Sequence, residues 1–141
     1  RMTAGTGVRH SEYNASPTDD AHFLQIWILP EALDLAPGYE QKSFSDAEKT
    51  NRLRLVTSRD GRDGSVRIHR DADIYAGLLH GGVSVTHEFA AGRYGWLQVV
   101  RGSLSANGEP LAAGDGIPLR DTPALALKAT SESEVLLFDM G

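Results

Sequence analysis

Short apolar stretches, separated by turns rich in glycine, proline and asparagine, follow one another along most of this chain of 141 residues. In several of them apolar and polar residues alternate, which is the pattern of a strand with one buried face. The pattern predicts strands over residues 23–29, 53–57, 66–69, 74–79, 83–89, 96–100, 103–106, 117–119, 125–128 and 135–138. So many short strands at this spacing predict an all-β fold, with two sheets packed as a jelly-roll barrel.

Three segments depart from simple alternation. Residues 23–29 are almost continuously apolar, which favours a strand covered on both faces, and Pro30 would end it because proline has no N–H to donate. The Asp-Gly pairs at 60–61 and 63–64 predict a hairpin between the strands on either side. A short helix is expected over residues 46–52, capped by Ser45. Residues 31–52 are otherwise the least regular part of the chain, as expected of a linker.

Composition narrows the classes of function. The 14 Lys and Arg against 19 Asp and Glu give a formal net charge of −5 without a long basic run, so we expect no nucleic-acid partner. The absence of cysteine excludes disulfides, zinc–thiolate clusters and a thiol nucleophile, and it is compatible with a cytoplasmic location. No apolar run reaches the ~18 residues of a membrane span, so we expect no membrane partner. Because the first residue is Arg1, we interpret the chain as a processed or truncated piece of a longer gene product.

A candidate metal-binding pair lies near the start of the chain. Side chains of an extended segment alternate, so His10 and Glu12 are expected to point to the same side. An imidazole and a carboxylate together suit a non-haem divalent metal such as iron. Two ligands are too few for an enzymatic site, and no H-x-H accompanies the pair. The sequence therefore predicts half of a metal site.

Several stretches of sequence resemble the bacterial pirin family, specifically its quercetinase-like bicupin branch; they are residues 1–14, 25–30, 39–41, 62–65 and 133–139. Members of that family carry two tandem cupin barrels, with a metal held in the N-terminal barrel by three His and one Glu. The resemblance implies that His10 and Glu12 are the last two of these ligands and that the first two His lie upstream. It also implies a remnant of the N-terminal metal-binding cupin at 1–30, a linker at 31–52 and a C-terminal cupin at 53–141.

The resemblance points to a C-terminal cupin without a metal site. The positions of the two histidines of the family's H-x-H fall near Glu88 and Ala90, and the position eight residues before the turn glycine falls at Tyr94, so an apolar and an aromatic residue stand where ligands would be needed. His87 and Glu88 are adjacent and therefore lie on opposite faces of a strand. We expect this barrel to serve in packing. The remaining histidines are expected at strand ends or turns, and both tryptophans in the core: His22, His69 and His80; Trp27 and Trp96.

The activity that the resemblance implies is oxygen-dependent cleavage of a flavonol such as quercetin, by a 2,3-dioxygenase reaction that needs a divalent metal, Fe(II) in the intact protein. His10 would be a neutral ligand, and Glu12 a ligand that also accepts the flavonol hydroxyl proton. With half of the ligands this fragment alone is expected to be inactive. Its opening strand is expected to pair with the missing N-terminal segment or with a swapped protomer. A protein-binding, redox-sensing regulatory module and a purely structural barrel remain the alternatives.

Overall fold

A computed structural model describes every residue from Arg1 to Gly141, and β-strands are its main elements. The only helical elements are a short α-helix, α1 (Asp46–Lys49), and a 3-10 turn (Arg62–Gly64). None of its helices has the length and apolar character needed to cross a membrane. The strands are β1 (Met2–Thr3), β2 (Gly38–Tyr39), β3 (Arg54–Ser58), β4 (Val66–Arg67), β5 (Ala72–Leu79), β6 (Ser84–Glu88), β7 (Tyr94–Arg101), β8 (Ser103–Ala106), β9 (Glu109–Ala112), β10 (Gly116–Leu119), β11 (Ala124–Ala129) and β12 (Ser133–Met140).

Two sheets form the barrel, one of six strands in the order β10-β7-β12-β5-β3-β4 and one of four strands in the order β6-β11-β8-β9. Every second residue of the central strand β12 is buried, so its sequence alternates between an interior and an exterior face. The apolar interior residues of both sheets pack together as one core. Its members are Leu79, Phe89, Leu97, Val99, Leu104, Ala106, Leu119, Leu125, Leu127, Ala129, Val135 and Leu137. The predicted all-β jelly-roll class is confirmed.

The strand predictions at 74–79, 83–89, 96–100, 103–106, 117–119, 125–128 and 135–138 correspond to β5, β6, β7, β8, β10, β11 and β12. Strand β9 was not predicted because Pro110 interrupts its short apolar run. Proline cannot donate to a strand ladder, but it is tolerated on an edge, and β9 is an edge strand that pairs only with β8.

The predicted hairpin around the two Asp-Gly pairs is wrong, because β3 and β4 pair in parallel, with Thr57 opposite Val66. The buried hydroxyl oxygens of Ser58 and Ser65 lie 2.7 Å apart, and the Gly61 N–H donates to Ser58 Oγ at 2.9 Å. These contacts fold the intervening loop into a compact turn, so the chain enters β4 in the direction of β3. The Asp-Gly pairs alone could not reveal the parallel pairing, because it depends on a contact between the hydroxyls of Ser58 and Ser65, seven residues apart.

The predicted helix at 46–52 is shorter than expected but begins as predicted. Ser45 caps it in a capping box, in which the Glu48 carboxylate accepts the Ser45 backbone N–H at 2.8 Å. The helix ends after Lys49, and the chain is already extended at Thr50, which makes an isolated bridge to Leu78 of β5. The chain from Thr50 onward therefore runs along the barrel, and this extended conformation replaces the last predicted turn of the helix.

The predicted two-sided strand at 23–29 is wrong, because these residues form no strand. Trp27 and Leu29 are 88% and 83% exposed, so Trp27 is not the core anchor that was expected. Trp96 lies in β7 but on the exterior face of the six-stranded sheet, and it is 39% exposed. The apolar pattern identified side chains of residues 23–29 that are typical of buried positions, but no strand of this chain packs over them.

Candidate functional site

His10 and Glu12 lie close together on the surface, as their spacing predicted. The distance between His10 Nε2 and Glu12 Oε1 is 3.9 Å, and the two side chains are 43% and 57% exposed. Two metal–ligand bonds of about 2.1 Å at tetrahedral or octahedral angles separate the ligand atoms by about 3.0 to 3.4 Å, so a small side-chain movement would bring both atoms to one ion. The surrounding segment, residues 8–14, belongs to no strand. The pairing of the side chains therefore does not require the regular strand that was expected.

The donor set in this chain is incomplete. Nowhere in the structure do three or more His, Asp or Glu side chains come together in a way that could hold a metal ion. The chemistry of the pair, one imidazole and one carboxylate, suits a divalent metal. His10 and Glu12 are therefore of the right chemical types for two of the positions around such a metal.

Two turns hold the ends of the segment that carries this pair. Before it, the Thr6 N–H donates to the Leu35 carbonyl at 3.2 Å, and Gly5 has a φ of +51°. A side chain at Gly5 would overlap the Leu35 carbonyl, so this close approach requires glycine. After the pair, Asn14 Nδ2 donates to the Asp19 carbonyl at 2.6 Å and closes a second turn. The pair thus lies on a segment with fixed ends.

The opening residues are not an unpaired edge, which corrects part of the expectation that another chain would pair with them. Met2 and Thr3 in β1 pair with Tyr39 and Gly38 in β2 of the same chain. Two residues of the opening segment thus find a partner locally. Residues 4–14 remain outside every sheet, and their pairing with a missing segment or a swapped protomer stays a prediction.

Hydrogen bonds fasten this opening to the barrel. Arg1 Nε donates to the Arg67 carbonyl at 2.9 Å, and the Arg67 N–H donates to Glu40 Oε2 at 3.1 Å. A hydrogen bond from Lys42, followed by the one from the Arg67 N–H, holds the pKa of the Glu40 carboxyl below its ordinary value. Strand β4 is therefore hydrogen-bonded through Arg67 to Arg1 and Glu40, which lie before α1 in the chain.

A polar cluster inside the C-terminal barrel was missed by the sequence analysis. Asp139, only 5% exposed, lies on the interior face of β12. Its Oδ2 is 2.8 Å from His87 Nε2 on β6 of the other sheet, and its Oδ1 accepts from Arg93 Nε. Arg93 also donates to Asp71 at 3.1 Å. The cluster links the two sheets at one end of the barrel.

Alternation along the strands could have revealed that two members of this cluster, His87 and Asp139, lie at interior positions. His87 on β6 shares its parity with Phe89, which follows that strand, and Asp139 shares its parity with Leu137 on β12, so each polar residue falls in an interior position. The ring of His87 lies between Phe89 and Tyr75, with centroid distances of 4.7 Å and 4.8 Å. His87 and Glu88 do face opposite ways, as expected: the former is partly buried and the latter exposed.

The electrostatics of the cluster follow from its burial. Burial acts to lower the pKa of Arg93, but hydrogen bonds to Asp139 and Asp71 outweigh it, so the pKa of Arg93 is raised. Burial also raises the pKa of the Tyr75 phenol, and the nearby Asp73 carboxylate raises it further. Arg93 and Tyr75 therefore keep their protons in the folded barrel, and the charge of Arg93 faces two carboxylates.

The other histidines have structural contacts. His80 lies in a turn, as predicted, with its Nδ1 2.7 Å from Glu132 Oε2, and this contact is the main reason that the pKa of Glu132 is lowered. The carbonyl of His69 accepts the Glu31 N–H at 2.8 Å. His22 does not begin a strand; its Nδ1 accepts a hydrogen bond from Arg101 Nη2 at 2.8 Å.

Comparison with known proteins agrees with this fold. A family model described as the quercetinase C-terminal cupin domain matches residues 55–140, and the pirin model matches residues 1–28. The quercetin 2,3-dioxygenase of Escherichia coli K12 is 44% identical over 139 residues, which are 99% of this chain and 59% of that protein. The chain thus spans about three fifths of the length of the curated relatives that it matches.

Solved structures give the same result. The crystal structure of YhhW from Escherichia coli superposes with a TM-score of 0.91 at 44% identity, over 99% of this chain and 58% of that one. The bacterial pirin YhhW in complex with nickel(II), from the same organism, gives a TM-score of 0.75 at 39% identity, over 81% of this chain and 48% of that one. The two facing sheets of this chain therefore define a cupin fold, which is also the fold of these pirin structures. This chain belongs to the pirin family, and it matches the C-terminal cupin of the quercetinase-type members.

Proposed function

We propose that this chain is the C-terminal part of a metal-dependent dioxygenase of the quercetin 2,3-dioxygenase type, which cleaves a flavonol with molecular oxygen. The observation that carries the proposal is the imidazole–carboxylate pair of His10 and Glu12, 3.9 Å apart on a segment with fixed ends. Relatives named quercetin 2,3-dioxygenase, at up to 44% identity, support the reaction class.

The proposed organisation follows the same argument. Residues 1–30 belong to an N-terminal metal-binding cupin, residues 31–52 connect the two cupins, and residues 53–141 are a C-terminal cupin whose role is packing. The compact core of the second barrel and its buried His87–Asp139 link support a structural role for this part. In this arrangement the first two histidine ligands come from an N-terminal segment.

The roles of the two residues follow from their chemistry. A divalent metal, Fe(II) in our proposal, would be held by His10 and Glu12 and would supply Lewis acidity toward the flavonol oxygen and redox chemistry for the reaction with molecular oxygen. His10 holds it through a neutral ring nitrogen, and this requires that the other ring nitrogen carry the proton. Glu12 contributes a carboxylate oxygen and accepts the proton of the flavonol hydroxyl. Because the chain holds two of the four ligands, it should turn over no flavonol by itself.

The test compares the chain alone with the chain assembled with the N-terminal part of its Escherichia coli relative, both supplied with ferrous iron. Metal content and the loss of quercetin absorbance are measured. We expect turnover only in the assembly, and at least a roughly hundredfold loss of metal affinity and turnover for His10→Ala and Glu12→Gln. The matched control is His80→Ala, an exposed histidine paired with Glu132, which should leave both unchanged.

Two outcomes would contradict the proposal. Unchanged metal content in both variants would remove His10 and Glu12 from the site. An assembly that is fully loaded with metal and leaves quercetin intact would instead favour the regulatory, protein-binding alternative.

A further inference from the structure

The turn between β8 and β9 contains the only asparagine of this chain that is followed by glycine. Asn107 and Gly108 have φ angles of +49° and +91°, as in the two-residue hairpin turn that favours this pair of residues. Both residues are exposed, and a Cβ atom added at Gly108 would meet open space. Steric hindrance at the peptide bond between them is therefore small.

The side chain of Asn107 extends the pairing of β8 with β11. The strands pair as far as Ala106, opposite Leu127, and the Asn107 N–H still donates to the Ala126 carbonyl at 2.9 Å. Beyond this point Asn107 Oδ1 accepts the Ala126 N–H at 2.8 Å, and Nδ2 donates to the Ala124 carbonyl at 3.2 Å. A side-chain amide has an acceptor and donors, as a peptide group has, so it satisfies β11 where the chain turns away. We call these two side-chain bonds the Asn107 clamp.

The same amide is chemically vulnerable, because asparagine is among the thermolabile residues. The Gly108 nitrogen can attack Asn107 Cγ, which forms a Cγ–N bond and breaks the Cγ–Nδ2 bond. The departing amide nitrogen takes up a proton to replace the one that Gly108 loses, and it leaves as ammonia. Water then opens the cyclic imide at either of its carbonyl carbons and gives aspartate or isoaspartate. Water is the only co-reactant, and no group is oxidised or reduced.

We propose that Asn107 is a deamidation site that the clamp guards as long as the turn between β8 and β9 lies against β11. The ring can close only after the amide leaves β11, because Cγ has to reach bonding distance of the Gly108 nitrogen. Strand β9 is an edge strand that pairs only with β8, so the turn can separate locally while the barrel stays folded. Each such opening exposes the amide to the reaction.

The modification removes the clamp permanently. In the aspartate product one oxygen can still accept the Ala126 N–H, but the other faces the Ala124 carbonyl and has no proton to donate to it. In the isoaspartate product the main chain runs through Cγ, so the side-chain amide is lost and the turn is lengthened. Either product adds a negative charge to a chain whose formal net charge is already −5. The turn is then held less tightly on β11, and the change proceeds in one direction only.

A tryptic peptide isolates this site. Cleavage after Arg101 and Arg120 releases residues 102–120, in which Asn107 is the only residue with a side-chain amide, so the replacement of NH₂ by OH is read from the mass of the peptide. The whole chain is incubated at mildly alkaline pH, either folded or in concentrated guanidinium chloride. We expect the folded chain to be modified at least about tenfold more slowly, because each opening has to break both bonds of the clamp. Asn107→Gln, whose longer side chain closes an imide ring much more slowly, should leave the peptide unmodified.

A second measurement tests the effect of the modification. Asn107→Asp reproduces one product and should lower the thermal midpoint by roughly 2 to 4 °C, as expected for the loss of one hydrogen bond. The matched control is Asn51→Asp, which makes the same change of charge at another asparagine with a positive φ. Asn51 Oδ1 accepts the His80 N–H at 3.0 Å, and its Nδ2 donates no hydrogen bond. A carboxylate keeps this contact, so the control should leave the midpoint unchanged.

The outcomes are decisive without metal or flavonol, so they do not depend on the dioxygenase proposal. Equal rates in the folded and the unfolded chain would show that the clamp does not guard Asn107. An unfolded chain that keeps its amide would remove Asn107 as a modification site. A midpoint of Asn107→Asp equal to that of the parent would show that the product remakes the clamp. Each of these results would overturn the proposal.

Discussion

Asp139 is the residue on which the charge balance of the barrel interior depends most. It lies 5% exposed at the end of β12 and accepts hydrogen bonds from Arg93, while His87 approaches its other oxygen from the opposite sheet. A carboxylate in such a place is tolerated only because its partners compensate for its desolvation. Removal of the carboxylate would leave Arg93 with the residue 139 carbonyl and the more exposed Asp71, which would be its only remaining carboxylate.

We therefore predict that Asp139→Ala lowers the free energy of unfolding by roughly 3 kcal/mol in urea denaturation, because the partly buried guanidinium loses its closest partner. The matched control is Glu132→Gln, which removes one member of the exposed pair with His80 and should leave the denaturation midpoint unchanged. Equal effects of the two substitutions would contradict the structural role of the cluster.

At the scale of elements, the turn between β7 and β8 is fixed by one glycine. Gly102 has a φ of +78°, and a side chain there would overlap the carbonyl oxygen of Glu132 and contact Ser133. The nearby Ser103 N–H donates to Ser131 Oγ at 2.9 Å, so the two turns at this end of the barrel are packed against each other. The turn between β8 and β9 has a glycine in a similar conformation, Gly108, but open space around it.

This contrast gives a prediction with an internal control. Gly102→Ala should lower the free energy of unfolding by about 3 kcal/mol or more, since it combines an unfavourable φ with a clash against backbone atoms. Gly108→Ala has only the cost of positive φ and should lose about 1 kcal/mol. Both values are measured by urea denaturation with intrinsic tryptophan fluorescence. If the two variants were equally stable, the packing between the turns would be less tight than the structure shows.

At the scale of the whole molecule, the chain divides into a packed barrel and an extended segment of residues 8–30 that lies outside every sheet. Strand β12 pairs along its length with β5 and β7, so its amide protons are held in the centre of the larger sheet. The backbone of residues 23–29 has no such bonds. Slow and fast amide exchange should therefore map onto these two regions.

We predict that, in hydrogen–deuterium exchange followed by mass spectrometry, peptides covering 23–29 are fully exchanged at the earliest time points. Peptides from β12 should retain protection until the barrel unfolds globally. Peptides from the edge strand β9 serve as the reference for intermediate behaviour. Strong protection of 23–29 in the chain alone would show that some partner, such as a second copy, already pairs with it.

The successes and failures of the sequence analysis have physical reasons. The strands of the C-terminal barrel alternate in polarity because one face of each sheet is buried, so their positions could be read from the residues. The parallel pairing of β3 with β4 could not, because the bonds between Ser58 and Ser65 act across a loop. The approach of His10 to Glu12 could be predicted because the two residues are neighbours in the chain. The contact of His87 with Asp139 could not be predicted, because it joins two strands of different sheets.

The sequence by itself determined the all-β class, most of the barrel strands, the cap at Ser45 and the parity of His10 with Glu12. Each of these depends on residues that are neighbours in the chain, so a local pattern carries the information. The tertiary structure alone decided which sheet receives each strand, that Asp139 lies beside Arg93, and that most of the large apolar side chains of residues 23–29 are exposed. These properties depend on contacts between distant parts of the chain, which alternation and turn residues do not encode.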